Sequence, residues 1–185
     1  VLEYAAGGTL QQLVAARGRL SEEEARPLLW QLLDAVAHCH AQHVCHRDLK
    51  LENCMLDAAG RVKLVDFGMS VVWREGGRLR RANGTPCYMA PELIDRQDYQ
   101  GPRVDVWSLG VGLACMLAGR LPFAGQNRAL LKPIILRGEY SLPGDISEES
   151  RDLVGRMLTV DPERRATIPR IRQHAWLRVC AAAAA

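Results

Sequence analysis

Asp48, Lys50 and Asn53 lie close together in the stretch HRDLKLEN (46–53), and Asp66 follows in VDFG. Between Asn53 and Asp66, the segments CMLD and RVKLVD are joined by AAG. This reads as a β-hairpin with Gly60 supplying a left-handed turn residue. A hairpin brings its two ends side by side, so Asn53 and Asp66 are expected to meet at one strand mouth. An amide oxygen and a carboxylate there suit Mg²⁺, which prefers oxygen ligands and keeps waters and substrate phosphates in its shell. A short loop can hold Asp48 beside the same spot, and Lys50 adds a positive point charge. A proton acceptor, a cation and a metal platform are the parts that phosphoryl transfer requires. Taken singly, an Asp or Asn in a turn is a cap or an Asx-turn, and Lys50 a solvated lysine. The combination carries the chemistry.

Several elements must position these groups. Thr9 with Gln12, and Ser21 with Glu24, have capping-box spacing. The first box starts a short helix that Gly18 can end. The second starts a long helix with Ala25, Leu28, Leu29, Leu32, Leu33 and Val36 on one face, and Pro27 is expected to bend or loosen its first turns. From Asp66 to Pro91 periodicity vanishes and Gly76, Gly77, Gly84 and Pro86 punctuate a long loop, of the kind that is either functional or disordered. Beyond it come an apolar helix from Asp105, another from near Ser147, and a last one capped by Thr167 in TIPRIRQHAWL. The expected fold is mainly α with one hairpin and no internal repeat.

Composition narrows the alternatives. The chain has 185 residues, 48% hydrophobic and 24% charged, enough for one sizeable core. A formal charge of +3 is too mild to argue for nucleic acid or an anionic membrane. The longest apolar run, VWSLGVGLACMLAG (106–119), is shorter than the roughly 20 residues that span a bilayer, and no signal-peptide pattern opens the chain. Six cysteines do not form the dense framework of a secreted mini-domain. A reducing compartment is expected: the cytoplasm, with the nucleus as the alternative. Both ends read as cut, since the chain starts VLEYAAGG without Met and closes in AAAAA.

HRDLKLEN (46–53), DFG (66–68), APE (90–92) and DVWSLG (105–110), in that order, resemble the protein-kinase signature set. GTPCYMAPEL and DPERRATIPRIRQHAWL resemble in particular the calmodulin-dependent and AMP-activated branch of the Ser/Thr kinases. The likeness implies a kinase large lobe over 1–178, with an activation segment at 66–92 and a tail at 179–185. It implies ATP and Mg²⁺ as cofactors and proteins bearing Ser or Thr as substrates; Lys50 favours these over Tyr. Asp48 would take the proton of the substrate hydroxyl, Lys50 would steady the γ-phosphate, and Asn53 and Asp66 would hold metal. Glu3, Ala5 and Met55 would meet adenine, although a strand end and a buried methionine explain them equally well. Glu52 would contact a substrate arginine, and Thr85 would bond near Asp48 and Lys50 and line the pocket for the residue following the phosphoacceptor. Arg47, Phe67 and Gly68 would be regulatory, with His46 and Phe67 packed together and Arg47 facing the activation segment. Glu92 would pair with Arg165, and Asp105 would brace the catalytic loop through backbone amides; both are structural roles. Cys87 and Cys115 read as packing residues.

The resemblance also settles the stretch HCHAQHVCH (38–46), whose four histidines and two cysteines suggest zinc. It corresponds to the end of the long helix and a short strand leading into the catalytic loop. Side chains at 38, 39 and 40 diverge around a helix and cannot form a tetrahedral shell. The stretch is therefore expected not to be a metal site.

Three departures from the family pattern stand out. The small lobe that should precede the hinge is expected to be missing, which would leave the chain inactive alone and in need of that lobe in cis. Residues 71–84 contain no Ser, Thr or Tyr, and Arg81 stands where an activating threonine is usual. Arg47 is then expected to face positive neighbours, and activation to be independent of phosphorylation there. REGGRLRR (74–81) reads by default as a solvated mobile loop, with a docking patch as the alternative, and an acidic partner is the expected route to activation. Thr9 replaces an acidic residue used by arginine-directed relatives, and Pro133 is expected to disrupt the helix that might carry another. A pseudokinase or half-kinase scaffold that binds proteins is the competing reading, against which the intact Asp48, Asn53 and Asp66 argue.

Overall fold

Two reciprocal capping boxes start the fold. In the computed structural model, which describes residues 5–123, 125 and 127–181, helix α1 (Leu10–Arg17) begins at Thr9. The Thr9 hydroxyl accepts from the Gln12 amide at 3.1 Å, and the Gln12 side chain accepts from the Thr9 amide at 2.9 Å. Helix α2 (Glu22–Ala41) begins the same way at Ser21 and Glu24, with bonds of 3.2 and 2.9 Å. All six of its expected core positions, Ala25 to Val36, are buried. It runs through Pro27 without a break, because Pro27 and Glu23, whose carbonyl loses its partner, both face solvent.

Strand β1 (Val44–Cys45) leads out of α2, and β2 (Cys54–Leu56) and β3 (Val62–Leu64) form the hairpin. Cys54 pairs with Leu64, Met55 with Lys63 and Leu56 with Val62, with Gly60 at φ 75° in the turn. The long loop after Asp66 is less irregular than expected. Its β4 (Val71–Val72) pairs antiparallel with β1, and Leu79 bridges Tyr99. A two-residue strand whose partner lies far off in sequence leaves no periodic trace.

Helix α3 (Pro91–Ile94) follows, then α4 (Gly101–Ala118), which starts four residues before the expected Asp105. Pro102 suits a first turn, where no N–H is needed. Gly101 is required because the Cys45 sulfur occupies the space a Cβ would fill. From Val104 to Leu117 every residue of α4 is buried, so the helix is enclosed on all sides, with Asp105 and Ser108 as its buried polar residues. It packs between α2 and α6 (Glu148–Met157). Helix α5 (Arg128–Arg137) continues through Pro133, contrary to expectation. The last expected helix is two, α7 (Ile168–Arg172) and α8 (Ala175–Ala181), separated by a turn. Among the described residues no helix is long and apolar enough to cross a membrane.

Two buried or half-buried charges tie distant segments together. Glu22 accepts from the Ser147 amide and hydroxyl, the Ser150 hydroxyl and the Trp176 indole, joining the starts of α2 and α6 to α8. Arg165, 1% exposed, spends all five N–H donors. They go to both Glu92 oxygens at 2.8 and 2.9 Å and to the carbonyls of Thr159, Arg103 and Val160. Its guanidinium also lies 5.1 Å from the Trp107 ring centre. Arg165→Ala leaves a buried carboxylate unpaired and is expected to cost about 3–5 kcal/mol, read as a lowered denaturation midpoint. A loss of under about 1 kcal/mol would show that the Glu92–Arg165 pair does not hold α3 to the core.

Candidate active site

The site is assembled on a buried carboxylate. Asp105, 0% exposed, accepts from the backbone amides of His46 (3.0 Å) and Arg47 (2.9 Å) and contacts His40 Nε2 at 2.8 Å. The amide contacts match the expected brace; the His40 contact was not anticipated, because nothing in the sequence marks its partner. Arg47 has φ 65°, a left-handed conformation uncommon outside glycine, and the Asp105 contact holds its amide. This turn delivers Asp48 to the surface of the core.

Asp48 is bonded on both oxygens. Oδ1 accepts from the Thr85 amide (2.9 Å) and hydroxyl (2.8 Å), and Oδ2 from the Lys50 ammonium (2.8 Å). Lys50 also donates to the Thr85 hydroxyl at 3.0 Å, closing a three-residue ring of contacts. Thr85 comes this close because Gly84 has no side chain: a Cβ there would stand 2.7 Å from the Arg47 carbonyl oxygen. Burial pushes the Asp48 carboxyl up, but hydrogen bonds from Lys50 and Thr85 and the Lys50 charge outweigh it and hold the group below the usual carboxylate range. Lys50 is raised by its hydrogen bond to Asp48 and by that carboxylate's charge, with smaller contributions from Glu52 and Asp66.

Asn53 is buried and turns its NH₂ toward Asp48, donating to the backbone carbonyl at 2.9 Å and to Oδ2 at 3.4 Å. Its own carbonyl accepts from the Val65 amide at 3.0 Å, so the hairpin sets Asn53 beside the residue preceding Asp66. Asp66 is exposed, in a left-handed conformation (φ 63°), and caps a short 3₁₀ turn by accepting from Gly68 N at 3.3 Å. Phe67 lies 4.8 Å from the His46 ring centre and is 42% exposed. Ala5, Met55 and Asp66 line one cavity of about 520 Å³, together with Lys63, Val65 and Phe67. Glu52 is exposed and its charge acts on Lys50, and Glu3 lies outside the described residues.

Arg47 meets the activation segment, but not the positive neighbours expected there. It faces the carbonyls of Met69 and Arg81 and the hydroxyl of Tyr99, while the Arg81 side chain points to solvent. The stretch 38–46 does bring ligand-type atoms together: His40, Cys45 and Asp105 offer atoms within 4.8 Å of one another. The Asp105 carboxylate there is already taken by three donors, and burial followed by the Asp105 charge pushes the Cys45 thiol up, away from the thiolate a metal needs.

Comparison with known proteins decides the family. The protein kinase domain model matches residues 1–177. The chain belongs to the protein kinase family. Its relatives fall in the branch that the sequence resembles. Serine/threonine-protein kinase SIK2 of Gallus gallus is 44% identical over 178 residues, 96% of this chain and 22% of that protein. Serine/threonine protein kinase OSK3 of Oryza sativa subsp. indica is 46% identical over 179 residues, 97% of this chain and 35% of that protein. Probable serine/threonine-protein kinase MARK-A of Dictyostelium discoideum is 44% identical over 177 residues, 96% of this chain and 17% of that protein. The chain thus spans between about a sixth and a third of these curated relatives.

Because the Lys50 and Thr85 hydrogen bonds favour the ionised form of Asp48, Lys50→Met is expected to move its titration to higher pH, and Thr85→Val to do so less. Carboxyl-detected NMR titration reads both. An unchanged Asp48 midpoint in Lys50→Met would mean that the contact contributes nothing in solution.

Proposed function

We propose that this site transfers the γ-phosphoryl group of ATP to Ser or Thr hydroxyls of protein substrates. The observation that carries the reading is the Asp48–Lys50–Thr85 ring, which fixes a carboxylate, an ammonium and a segment running toward the substrate side around one point. Asp48 is held ionised and, once a substrate hydroxyl displaces Thr85 from part of its shell, can orient that hydroxyl and accept its proton as the new O–P bond forms. The bond from the γ-phosphorus to the β,γ-bridging oxygen breaks as it does so, with ADP as the leaving group. Lys50 sits where it can hold a γ-phosphate oxygen, and its raised pKa keeps it charged.

The donor set fits the cofactors of this chemistry. Asn53, with its NH₂ engaged by Asp48, offers its amide oxygen, and exposed Asp66 offers a carboxylate, which together suit Mg²⁺. Mg²⁺ would supply charge neutralisation on the phosphates. The cavity bordered by Ala5 and Met55 offers an apolar wall for adenine, and its volume lies in the range of small-ligand sites. Glu3, outside the described residues, would meet adenine by family likeness alone. Glu52 stands exposed where a basic substrate residue could meet it, and Thr85 borders the pocket for the residue after the acceptor. The free thiols at Cys39, Cys45, Cys54, Cys87 and Cys115 suit a reducing compartment such as the cytoplasm. In a kinase a small lobe in cis covers the nucleotide, so the test uses the full-length protein that carries this chain.

Asp48→Asn in that protein is expected to lower transfer of radiolabelled phosphate to a Ser/Thr peptide by at least about a hundredfold, with ATP binding retained. Equal rates in the two proteins would remove Asp48 from the reaction. No transfer by either, with intact binding of protein partners, would favour the scaffold reading.

A further inference from the structure

A guanidinium that awaits a phosphate should lack oxygen partners from the segment, yet Arg47 already engages three oxygens through Nε and Nη1. Its Nε donates to the Met69 carbonyl at 2.8 Å. Its Nη1 reaches the Tyr99 hydroxyl at 3.1 Å and the Arg81 carbonyl at 3.3 Å. The Tyr99 hydroxyl in turn donates its proton to the same Arg81 carbonyl at 2.8 Å. The directions are consistent: the phenol oxygen accepts from the cation through a lone pair and passes its own proton to the activation segment. Tyr99 is 2% exposed and Arg47 9%, so water competes little for these bonds.

The main chain of Tyr99 grips the same segment. Leu79 N donates to the Tyr99 carbonyl at 2.8 Å, and Tyr99 N to the Leu79 carbonyl at 2.9 Å. Residue 99 therefore fastens positions 79 and 81 of the segment, and its hydroxyl links them to the residue preceding Asp48. Further along, Gly84 lies against the Arg47 carbonyl and Thr85 reaches Asp48. Residues 71–84, the stretch so fastened, contain no Ser, Thr or Tyr that could be phosphorylated.

We propose that Tyr99 is a positioning residue for phosphoryl transfer, its hydroxyl filling the role of a phosphate on the activation segment. It gives Arg47 a permanent oxygen partner and so keeps Thr85 in reach of Asp48 with no covalent modification. This rests on the phosphoryl-transfer reading above and adds to it the way in which the segment is held. The benzene ring of Tyr99 fills the core and its main chain holds Leu79; within the side chain, the oxygen does the positioning. Tyr99→Phe therefore separates the two.

The test uses full-length protein treated with phosphatase, as wild type and as Tyr99→Phe. Wild type is expected to keep its activity after phosphatase. The variant is expected to lose roughly ten- to hundredfold in kcat/KM for a peptide, the range for one hydrogen bond to a charged group. The loss should come from a raised peptide KM and lowered kcat, with KM for ATP unchanged. Amide hydrogen exchange should quicken across 71–84 in the variant and stay at the wild-type rate in α2 and α4. Unchanged exchange at 71–84 overturns the proposal, as does quickened exchange throughout the molecule, which would make Tyr99 a plain core residue. Loss of wild-type activity on phosphatase treatment overturns it too. Should wild type transfer no phosphate at all, the functional reading fails, while the exchange pattern still decides whether the hydroxyl holds the segment.

Discussion

The geometry of the site depends on one carboxylate placed where water cannot reach it. A charge in the core is tolerated only if hydrogen bonds replace its hydration, and Asp105 obtains two of them from consecutive backbone amides, at His46 and Arg47. Those amides converge on one side chain only if the chain turns sharply, which puts Arg47 at φ 65°. Such a backbone costs of order 1–3 kcal/mol and persists where its surroundings over-determine it. Here the surroundings are α4, buried all round, and the His40 ring at the end of α2. The catalytic loop is thus pinned to the centre of the molecule, not to its surface.

From that anchor the reactive groups are set by short reaches. Asp48 follows the strained turn directly, Lys50 folds back onto it, and Asn53 opens the hairpin whose far strand ends next to Asp66. Each element near the site is only two or three residues long, so none is stable alone. Their order comes from being bonded to something rigid: β4 to β1, the Thr9 turn to Met55, and Leu79 to Tyr99. The helical body supplies the rigidity on which the site depends.

What could be read in the sequence follows from the range of the forces involved. Capping boxes at Thr9 and Ser21, the buried face of α2 and the hairpin around Gly60 are local, and the structure has them where the spacing put them. The starts of helices governed by tertiary contacts were less legible. α4 begins at Gly101 and not at Asp105, with Pro102 in its first turn and a glycine against Cys45, and Pro133 and Pro27 sit inside helices on faces where a lost hydrogen bond is tolerated. Around the site, the convergence of Asp48, Lys50 and Thr85 was legible through family likeness. The partners of Arg47 were not, since two are main-chain carbonyls, which have no sequence signature, and the third is a tyrosine that reads as core.

The closeness of Cys45 and Gly101 has a chemical consequence. The sulfur rests so near the glycine backbone that no methyl group could be inserted between them, and burial keeps the thiol protonated. Oxidation to a sulfenic acid is favoured by thiolate character and exposure, and a raised thiol pKa and 0% exposure work against both at Cys45. The strand that leads into the catalytic loop is thereby insulated from peroxide, although it carries the type of residue that peroxide attacks.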